Sequence, residues 1–421
     1  MKIAVIGGGV SGISSALLLQ EKHEITLFEK NNYVGGHTNT ILVEDEPGKK
    51  VAVDTGFIVC NDWTYPNLHK MFKKLKVAVR DTDMSFGFAD EKTGYCYSGK
   101  NVNGLFAQRK NIFNPRFWLL LKEVIRFNNR AKADLAKGID LSDTTMKEYL
   151  NSYSFSKPFI LDYLVPIGGA IWSSSNKSML EFPADLFLHF FKNHGLLNIV
   201  NRPQWQTVVG GSFAYIKKFR QQFKGGVHTD SPVKNVRREN GKAILILDDN
   251  KELKFDAVVF ACHADEVLNI LEDASTDEKD AFADWDYIPN HTVLHTDESV
   301  MPENKRAWAS WNFTQEKNTP LENPISLTYD MNNLQGLESK KNYFVSLNRI
   351  NPIPKRHVLK EFSYKHPNFT VKTLASKKKI QNLNGINHTY YVGSYLGYGF
   401  HEDAVKSSVD MTTRHFGLTG F

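Results

Sequence analysis

Residues 1–40 read MKIAVIGGGVSGISSALLLQEKHEITLFEKNNYVGGHTNT, and this stretch decides the fold of the chain. The apolar run from Lys2 to Ile6 predicts a buried strand, which stops at Gly7-Gly8-Gly9-Val10-Ser11-Gly12, a G-x-G-x-x-G sequence. We expect a helix from Ser11 to about Glu21 and a second strand over 24–28 that ends at Glu29. In such a unit the three glycines form the turn, admit a diphosphate and pack the helix on the strand, and the acid binds ribose. A lone glycine motif is weak evidence for a ligand site, but the surrounding strand, helix, strand and Glu29 together predict a dinucleotide site.

The residues after Glu29-Lys30 distinguish between cofactors. Asn31-Asn32-Tyr33-Val34-Gly35-Gly36-His37-Thr38 resembles the E-(x)5-GG-(R or H) continuation of flavin-containing amine oxidases, phytoene-desaturase-type enzymes and protoporphyrinogen oxidases. The resemblance implies FAD, with the second glycine pair and the basic residue running along its diphosphate. His37 stands where many members have arginine, so a permanent charge is not expected there.

Further motifs of that family follow in order along nearly the whole chain. Asp54-Thr55-Gly56-Phe57 resembles the segment that passes the isoalloxazine ring. Gly210-Gly211 precedes a helix to Phe223 that we expect Ser212 to cap, and 226–236 resembles the family strand that clamps adenine, with Val233 on the adenine. Residues 257–263 resemble the strand that ends at the diphosphate, and 393–404 resemble the closing motif, whose helix points its positive end at flavin N1/C2=O. The motif and the resemblance together imply that FAD is bound by Gly7, Gly9, Val10, Ser11, Gly12, Glu29, Lys30, Gly35, Gly36, His37, Thr38, Asp54, Thr55, Gly56, Phe57, Val233, Ala261, Gly393, Ser394, Phe400, His401, Glu402 and Ala404.

The closing motif departs from the family pattern at two positions. Ser394 replaces the usual acid, and Asp403 replaces the glycine before Ala404, so we expect the flavin end to be built differently. The spellings GGHTNT, DTGF, LHTD, TYDMNNLQ and GFHEDA are similar to a subgroup of predicted NAD/FAD-binding, amine-oxidase-like proteins.

Composition limits the class of protein. The 421 residues are 41% apolar and 23% charged, which is typical of a globular chain with two interleaved domains. A net charge of +6 is too small to indicate nucleic-acid binding, although it could favour anionic lipid. The three cysteines show neither metal-ligand spacing nor a disulfide framework, so we expect no metal and a reducing cytoplasm. Neither a signal peptide nor a membrane span is expected.

The predicted fold class is α/β: a Rossmann-type FAD-binding domain interleaved with an α+β substrate domain of mixed sheet and helical cap. The FAD-binding parts are expected at 1–80, 201–284 and 385–421, the helical insert at 81–200 and the substrate sheet at 285–384. Aromatic and basic residues alternate over 115–136, and we interpret this stretch as a helix of the cap. An interfacial membrane helix, with peripheral membrane contact, is the alternative.

The expected chemistry is hydride transfer from a substrate C–H bond to flavin N5, with O₂ or another acceptor reoxidising the cofactor. Aromatic residues in the insert favour a lipid-like or bulky apolar substrate. His401, His295 and Tyr329 are the candidates for polar or aromatic roles beside the flavin.

Two alternatives remain open from the sequence. One is an amine oxidase that releases hydrogen peroxide, which is weakened because the strand we match to the family's lysine-bearing strand, 291–296, has no lysine. The other is a flavin-binding protein with a regulatory or interaction role and little turnover.

Overall fold

The computed structural model describes residues 1–317, 320, 323 and 325–421. Its strands are β1 (Lys2–Ile6), β2 (Glu24–Phe28), β3 (Thr40–Glu46), β4 (Lys49–Asp54), β5 (Val59–Asn61), β6 (Val79–Asp81), β7 (Phe86–Asp90), β8 (Tyr95–Ser98), β9 (Trp205–Val208), β10 (Gly226–His228), β11 (Val233–Glu239), β12 (Lys242–Leu247), β13 (Glu252–Phe255), β14 (Ala257–Phe260), β15 (Tyr287–His295), β16 (Trp311–Gln315), β17 (Ser326–Asp330), β18 (Phe344–Leu347), β19 (Val358–Pro367) and β20 (Thr389–Tyr391). Its helices are α1 (Val10–Leu19), α2 (Pro66–Leu75), α3 (Val102–Leu105), α4 (Pro115–Lys137), α5 (Met146–Ser152), α6 (Lys157–Phe159), α7 (Val165–Trp172), α8 (Asn176–Glu181), α9 (Ala184–Asn193), α10 (Phe213–Gln222), α11 (Ala264–Ile270), α12 (Thr276–Phe282), α13 (Met331–Gln335), α14 (Val371–Leu383) and α15 (His401–Phe416).

A parallel sheet of five strands, ordered β10-β2-β1-β14-β20, carries the nucleotide-binding turn. Its strands come from three distant parts of the chain, and β1 pairs with β14 from Ile3↔Ala257 to Ile6↔Phe260. All four residues of β14 are buried, as expected for a central strand covered on both faces. This arrangement brings the carboxyl ends of the strands to one edge, where α/β sheets bind ligands.

Helix α1 packs closely on this sheet and on α15. A Cβ atom at Gly12 would lie 1.9 Å from the Gly7 carbonyl oxygen, so only glycine allows this approach. On the other side, the Ser14 and Ser15 hydroxyls each lie 2.9 Å from Ser408 Oγ. Gly12 therefore lets α1 approach the end of β1, and the serines hold the last helix of the chain against the first.

The second large sheet is mixed and has seven strands, in the order β19-β15-β18-β17-β16-β7-β8. Only β16 and β7 pair in parallel; the other neighbours are antiparallel. Strands β7 and β8 come from the segment expected to be a helical insert, so that insert also extends the substrate sheet. The remaining insert supplies α4 to α9, whose Phe127, Phe159, Phe187 and Phe191 form a buried aromatic core. The α/β prediction with a mixed sheet and helical cover is confirmed.

Two local expectations are wrong in detail. The stretch 226–236, expected as one strand, divides into β10 and β11, which join different sheets. The turn between them contains Asp230 at φ 50° and Pro232, which has no N–H to continue a ladder. Ser212 does stand at the start of α10, but its hydroxyl donates to Asp54 Oδ1 at 2.8 Å and does not cap the helix.

Within the described residues, the longest apolar helical stretches fall short of what is needed to cross a bilayer.

Candidate functional site

A cavity of about 930 Å³ lies between the carboxyl edge of the parallel sheet, the seven-stranded sheet and the helices of the insert. Its walls come from segments far apart in sequence. The parallel sheet contributes Gly7, Glu29, Ala261 and Gly393 at or just beyond the ends of its strands, and α7 and α9 contribute Ile167, Ile171, Trp172 and Phe190. The volume is at the upper end of ordinary ligand cavities, so a dinucleotide and a substrate can share it.

The glycine turn opens directly into this cavity. Gly7 has φ 107°, and a Cβ there would lie 2.7 Å from the Ala261 oxygen. Gly9, by contrast, has no atom within 4 Å of its ideal Cβ position, although it lines the cavity. The backbone at Gly9 therefore presents open space beside the N-terminus of α1, whose N–H groups favour an anion.

Glu29 lies at the end of β2, where its carboxylate is held by backbone and side-chain donors. The Gly8 N–H donates to Oε2 at 2.7 Å, and the Asn31 N–H and Nδ2 donate to Oε1 at 2.9 and 2.7 Å. Oε1 thus accepts two hydrogen bonds, whereas Oε2 accepts one and keeps a second lone pair for a further donor. Glu29 lines the cavity in this fixed orientation, as an acid that binds ribose hydroxyls must.

Three histidines form a cluster in the cavity wall: His37, His263 and His366. The His37 ring centroid is 5.2 Å from that of His366, 6.1 Å from that of His263 and 5.1 Å from that of Tyr364. His37 Nε2 and His263 Nδ1 are buried and have no hydrogen-bond partner within the described residues. Among all the residues that the structure describes, no group of three or more His, Cys, Asp or Glu is arranged to hold a metal ion.

Burial sets the charge of this cluster. Desolvation holds the pKa of His37 well below its usual value and lowers the pKa of His366 to about 4. Burial also lowers the pKa of His263, while Glu266 opposes the shift. The three rings are therefore neutral at pH 7, and the unpartnered nitrogen of His37 or of His263 can donate to an anionic group when it carries the ring proton.

His401 begins α15 and lines the cavity. Its ring stacks on Phe57 with centroids 3.7 Å apart, and its Nε2 lies 3.1 Å from Thr38 Oγ1. Burial lowers the pKa of His401 to about 3, so the ring is neutral and suits hydrogen bonding better than proton donation as an imidazolium.

The wall opposite the glycine turn is mainly apolar and aromatic. Trp311 and Tyr329 are paired across β16 and β17, their rings meet edge to face at 5.0 Å, and both line the cavity. Trp311 Nε1 is buried and has no partner within the described chain. Burial raises the pKa of Tyr329, so its hydroxyl stays protonated. The remaining apolar lining here comes from Met84, Phe86, Ile167, Ile171, Phe190 and Leu196.

Charged groups in this region are few. Asp83 Oδ1 accepts from the hydroxyls of Ser85 and Ser310, both at 2.5 Å, and from Asn333 Nδ2 at 2.9 Å. Burial opposes the ionisation of Asp83, but these hydrogen bonds and the Lys100 charge bring its pKa below the usual value. Lys100 and Arg202 also line the cavity, whereas Asp330, a second carboxylate close to Asp83 and Lys100, does not reach the wall.

Most of the residues expected to bind FAD lie in the cavity wall. They are Gly7, Gly9, Val10, Ser11, Glu29, Lys30, Gly35, Gly36, His37, Gly56, Phe57, Val233, Ala261, Gly393, Ser394, Phe400, His401 and Ala404.

Five other expected FAD residues are not in the wall. Gly12 packs α1 on β1, as its motif position predicts. Thr38 lies behind His401, and the Thr55 hydroxyl lies 2.7 Å from Tyr364 OH. Asp54 accepts from Ser212 and from Gln335 Nε2, and burial raises its pKa to about 6. Glu402 accepts from the N–H groups of Asn67 and Leu68 at the start of α2. These side chains support the wall and do not form it.

His295, expected near the flavin, lies in the interior of the seven-stranded sheet. The Asp297 N–H donates to its Nδ1 at 3.1 Å, so its Nε2 carries the proton and donates to Ser346 Oγ at 2.8 Å. Burial lowers its pKa to about 4, and it is absent from the cavity wall. Both ring nitrogens of His295 therefore make hydrogen bonds inside the sheet. The expectation that His295 lies beside the flavin is corrected by this position.

Sequence reasoning missed the wall formed by β19. Tyr364 and His366 line the cavity from this edge strand, and Lys365 between them also reaches it. The alternation of Phe362, Tyr364 and His366 is a period-two signal that could have indicated a strand with one ring-bearing face.

The cavity therefore fits an FAD-sized dinucleotide. The backbone at Gly9 faces open space, and hydrogen bonds hold the Glu29 carboxylate in place. His37 and His263 each have an unpartnered imidazole nitrogen where the diphosphate is expected.

Comparison with known proteins agrees with this geometry. The model of the family described as flavin containing amine oxidoreductase matches residues 10–345. A 4,4'-diapophytoene desaturase of Staphylococcus aureus is 55% identical over 42 residues, which cover 10% of this chain and only 8% of that protein.

Solved structures are similar over nearly their whole length. A CLA-producing fatty acid isomerase from P. acnes has a TM-score of 0.72 at 15% identity, with 98% of both chains covered. Putrescine oxidase bound to putrescine has a TM-score of 0.70 at 13% identity, with 99% of both chains covered. At these identities the likeness establishes the shared fold.

Proposed function

The chain belongs to the family of flavin-containing amine oxidoreductases, which are FAD-dependent oxidoreductases, and from that premise we propose that it dehydrogenates a lipid-like or bulky apolar substrate. Bound FAD supplies hydride acceptance at N5 from a substrate C–H bond, and O₂ or another acceptor takes up the two electrons. The observation that carries the choice of substrate is the aromatic and aliphatic lining contributed by α7, α9 and the seven-stranded sheet.

The residues proposed to hold FAD follow from the cavity wall. The backbone at Gly9 and the N-terminus of α1 would bind the diphosphate, with His37 and His263 as neutral hydrogen-bonding partners. Glu29 would accept from ribose hydroxyls, and Val233 would contact adenine. Phe57 and His401, stacked at 3.7 Å, together with Gly393 and the start of α15, would meet the flavin ring.

The charge balance of the apolar wall supports a neutral or anionic substrate. Asp83 lines this part of the cavity, and its Oδ1 is already engaged by Ser85, Ser310 and Asn333. Asp330 lies near Asp83 but outside the wall, and burial raises its pKa. Trp311 Nε1 and the Tyr329 hydroxyl can donate to a polar group of the substrate, and Lys100 and Arg202 add positive charge. A hydrocarbon chain against Ile167 and Ile171, with its polar end near these donors, satisfies the lining.

An FAD amine oxidase is the second candidate, because Lys365 lines the cavity although the matched strand 291–296 has no lysine. Amine oxidases of the family commonly have a lysine in the wall of the flavin site. The amine oxidase assignment was weakened because 291–296 has no lysine. Asp83 could attract a cationic amine only if its present hydrogen bonds are rearranged.

Cytoplasmic location with peripheral membrane contact also belongs to this proposal. The thiols of Cys60, Cys96 and Cys262 are free, which supports a reducing compartment.

Anaerobic mixing of the oxidised, FAD-loaded protein with fractionated lipids and with an amine panel tests the substrate class. We expect a lipid fraction to bleach the flavin absorbance and simple monoamines, with putrescine included, to leave it unchanged. Aerobic assays with the same amines should release no hydrogen peroxide.

Lys365→Met provides the matched comparison. It should leave lipid-driven bleaching within about twofold, since a lysine is not used in the proposed dehydrogenation. Bleaching by amines that is lost in Lys365→Met would establish the amine oxidase instead. A flavin that neither lipids nor amines reduce would favour a regulatory flavin-binding protein and reject both enzymatic assignments.

A further inference from the structure

Large apolar side chains are concentrated on the surface between residues 102 and 125. Among the described residues, Phe113 has the highest fractional exposure of any such side chain, at 87%, followed closely by Val200 at 79% and Val102 at 74%. We call the following side chains the apolar face: Val102, Ile112, Phe113, Trp118, Leu119 and Ile125. Exposed apolar side chains concentrated in this way are typical of an interaction surface.

The same segment carries an unusual charge. Residues 99–138 contain nine Lys and Arg against two Asp and Glu, a surplus of seven, whereas the whole chain has +6. The rest of the chain is therefore close to neutral, at about −1. Both acids, Glu123 and Asp134, are buried and bonded to Arg126 and Arg130, so the surface itself presents cations.

The apolar face is fixed by the packing beneath it. Phe117, Leu120 and Phe127 occupy the buried side of α4, which leaves Trp118, Leu119 and Ile125 outward. Trp118 Nε1 donates to the Ile112 carbonyl at 2.8 Å, and its ring lies 5.8 Å from Phe106. The tryptophan's polar atom is thus satisfied internally while half of its surface stays exposed.

This surface adjoins two solvent-exposed residues of the cavity wall, which mark an opening of the cavity. Lys100, directly before the segment, lines the cavity, and so does Arg202, which follows exposed Ile199 and Val200 by two residues. Arg116 of α4 pairs with Asp162 at 2.6 Å. Burial raises the pKa of the next residue, Tyr163, and the nearby Arg202 charge opposes this shift. Arg202 therefore lies close to Tyr163, which places exposed Ile199 and Val200 in the same region as α4.

We propose that the apolar face and its cations dock the protein on an anionic lipid bilayer, with the cavity entrance at the membrane surface. Apolar side chains enter the acyl boundary while Arg109, Lys110 and Lys122 contact anionic headgroups, as in interfacial helices. The choice of a lipid bilayer as the partner of this face rests in part on the proposed function, because an apolar substrate could then enter the cavity from the bilayer without crossing water.

A second copy of the chain is a poorer occupant. A two-fold contact through this face would place the two cationic segments against each other, which costs energy by repulsion. A bilayer containing anionic lipid offers the complementary charge.

Flotation of the FAD-loaded protein with vesicles tests the proposal without requiring turnover. We expect binding to phosphatidylglycerol vesicles, weaker binding to phosphatidylcholine vesicles and loss of binding at high salt. Phe113→Ser combined with Trp118→Ser should weaken binding to phosphatidylglycerol vesicles about tenfold or more, and so should Lys110→Glu combined with Lys122→Glu.

Leu42→Ser combined with Leu359→Ser is the matched control, since these residues are 62% and 45% exposed outside the face. It should bind like the unaltered protein. Equal binding of all variants, no flotation with phosphatidylglycerol, or an unaltered protein that forms a dimer which Phe113→Ser abolishes would each overturn the proposal. Flavin bleaching by dissolved lipid, measured separately, reports on the proposed function and is independent of flotation.

Discussion

At the scale of single residues, Gly9 and Gly12 of the opening turn have different requirements. Gly12 cannot carry a side chain, because its Cβ would overlap the Gly7 oxygen at 1.9 Å. Gly9 is free of protein contacts at the same position and faces the cavity. The motif therefore combines one glycine that the fold needs with one whose open position we propose for the cofactor diphosphate.

Gly9→Ala should keep the fold and lose the cofactor. The added methyl group meets no protein atom, so the melting temperature of the apoprotein should change by less than about 2 °C, while FAD affinity should fall about tenfold or more. Flavin content after purification and titration of apoprotein with FAD measure this.

Gly12→Ala is the contrasting variant and should fail to fold or melt much earlier even without FAD. If Gly9→Ala bound FAD normally, the diphosphate would have to lie elsewhere in the cavity.

At the scale of elements, a buried ion pair joins three parts of the molecule. Arg238 on β11 donates to both oxygens of Glu278 on α12, and the Tyr391 hydroxyl on β20 donates to Glu278 Oε1 at 2.6 Å. Burial alone would raise the pKa of Glu278, but the hydrogen bonds from Arg238 and Tyr391 lower it to about 2. This pair fixes the antiparallel sheet and α12 to the edge of the parallel sheet.

Glu278→Gln should lower the free energy of unfolding by about 2 kcal/mol at pH 7, because it removes the buried carboxylate to which Arg238 and Tyr391 donate, while Asp273 still pairs with Arg238. Since the pKa of Glu278 is depressed on folding, its contribution is present above its unfolded pKa of 4.5 and is lost as the pH falls towards about 2. Urea unfolding at pH 7 and at about pH 4 should therefore show a smaller difference between the two proteins at the lower pH.

Glu252→Gln is the control, since Glu252 pairs with Arg237 at 3.0 Å with both side chains substantially exposed. It should cost less than about 1 kcal/mol. A larger effect at Glu252 than at Glu278 would contradict the assignment.

The order of elements also bears on the predicted domain boundaries. Segment 81–200 contributes β7 and β8 to the seven-stranded sheet as well as α4 to α9, so sheet and helices of the substrate region alternate along the chain. The five-part division at 80, 200, 284 and 384 stays a prediction.

At the scale of the whole molecule, one cavity joins the nucleotide-binding edge to the insert. The glycine turn, β19 and the helices α7 and α9 all face the same space. Ile167 and Ile171 lie one helical turn apart on α7, a helix of the insert, whereas the glycine turn belongs to the parallel sheet. Cofactor and substrate regions should therefore respond separately to substitution.

Ile171→Trp should retain FAD and lose substrate. The larger ring fills the apolar part of the cavity, so flavin content should stay unchanged while the rate of lipid-driven bleaching falls about a hundredfold. Absorbance after purification and anaerobic stopped-flow reduction measure the two effects.

Ile386→Trp, at a half-exposed surface position, should change neither quantity. Loss of flavin together with activity in Ile171→Trp would show that the two regions are not separate.

The sequence by itself determined the nucleotide-binding half of this protein. The strand, the glycine turn, α1 and Glu29 are encoded within thirty consecutive residues, so local spacing and hydrophobic pattern are enough to predict them. Family membership and FAD followed from motifs quoted in order, and both were confirmed.

Only the tertiary structure decided which side chains face the cavity. His37, His263 and His366 meet because separate sheets bring distant segments together, and no local periodicity records that meeting. By the same means, pairing of β15 with β18 turns His295 towards Ser346 and away from the cavity, although its position in sequence favoured a catalytic role. Strand register and packing over long separations, which sequence spacing does not specify, set the walls of the site.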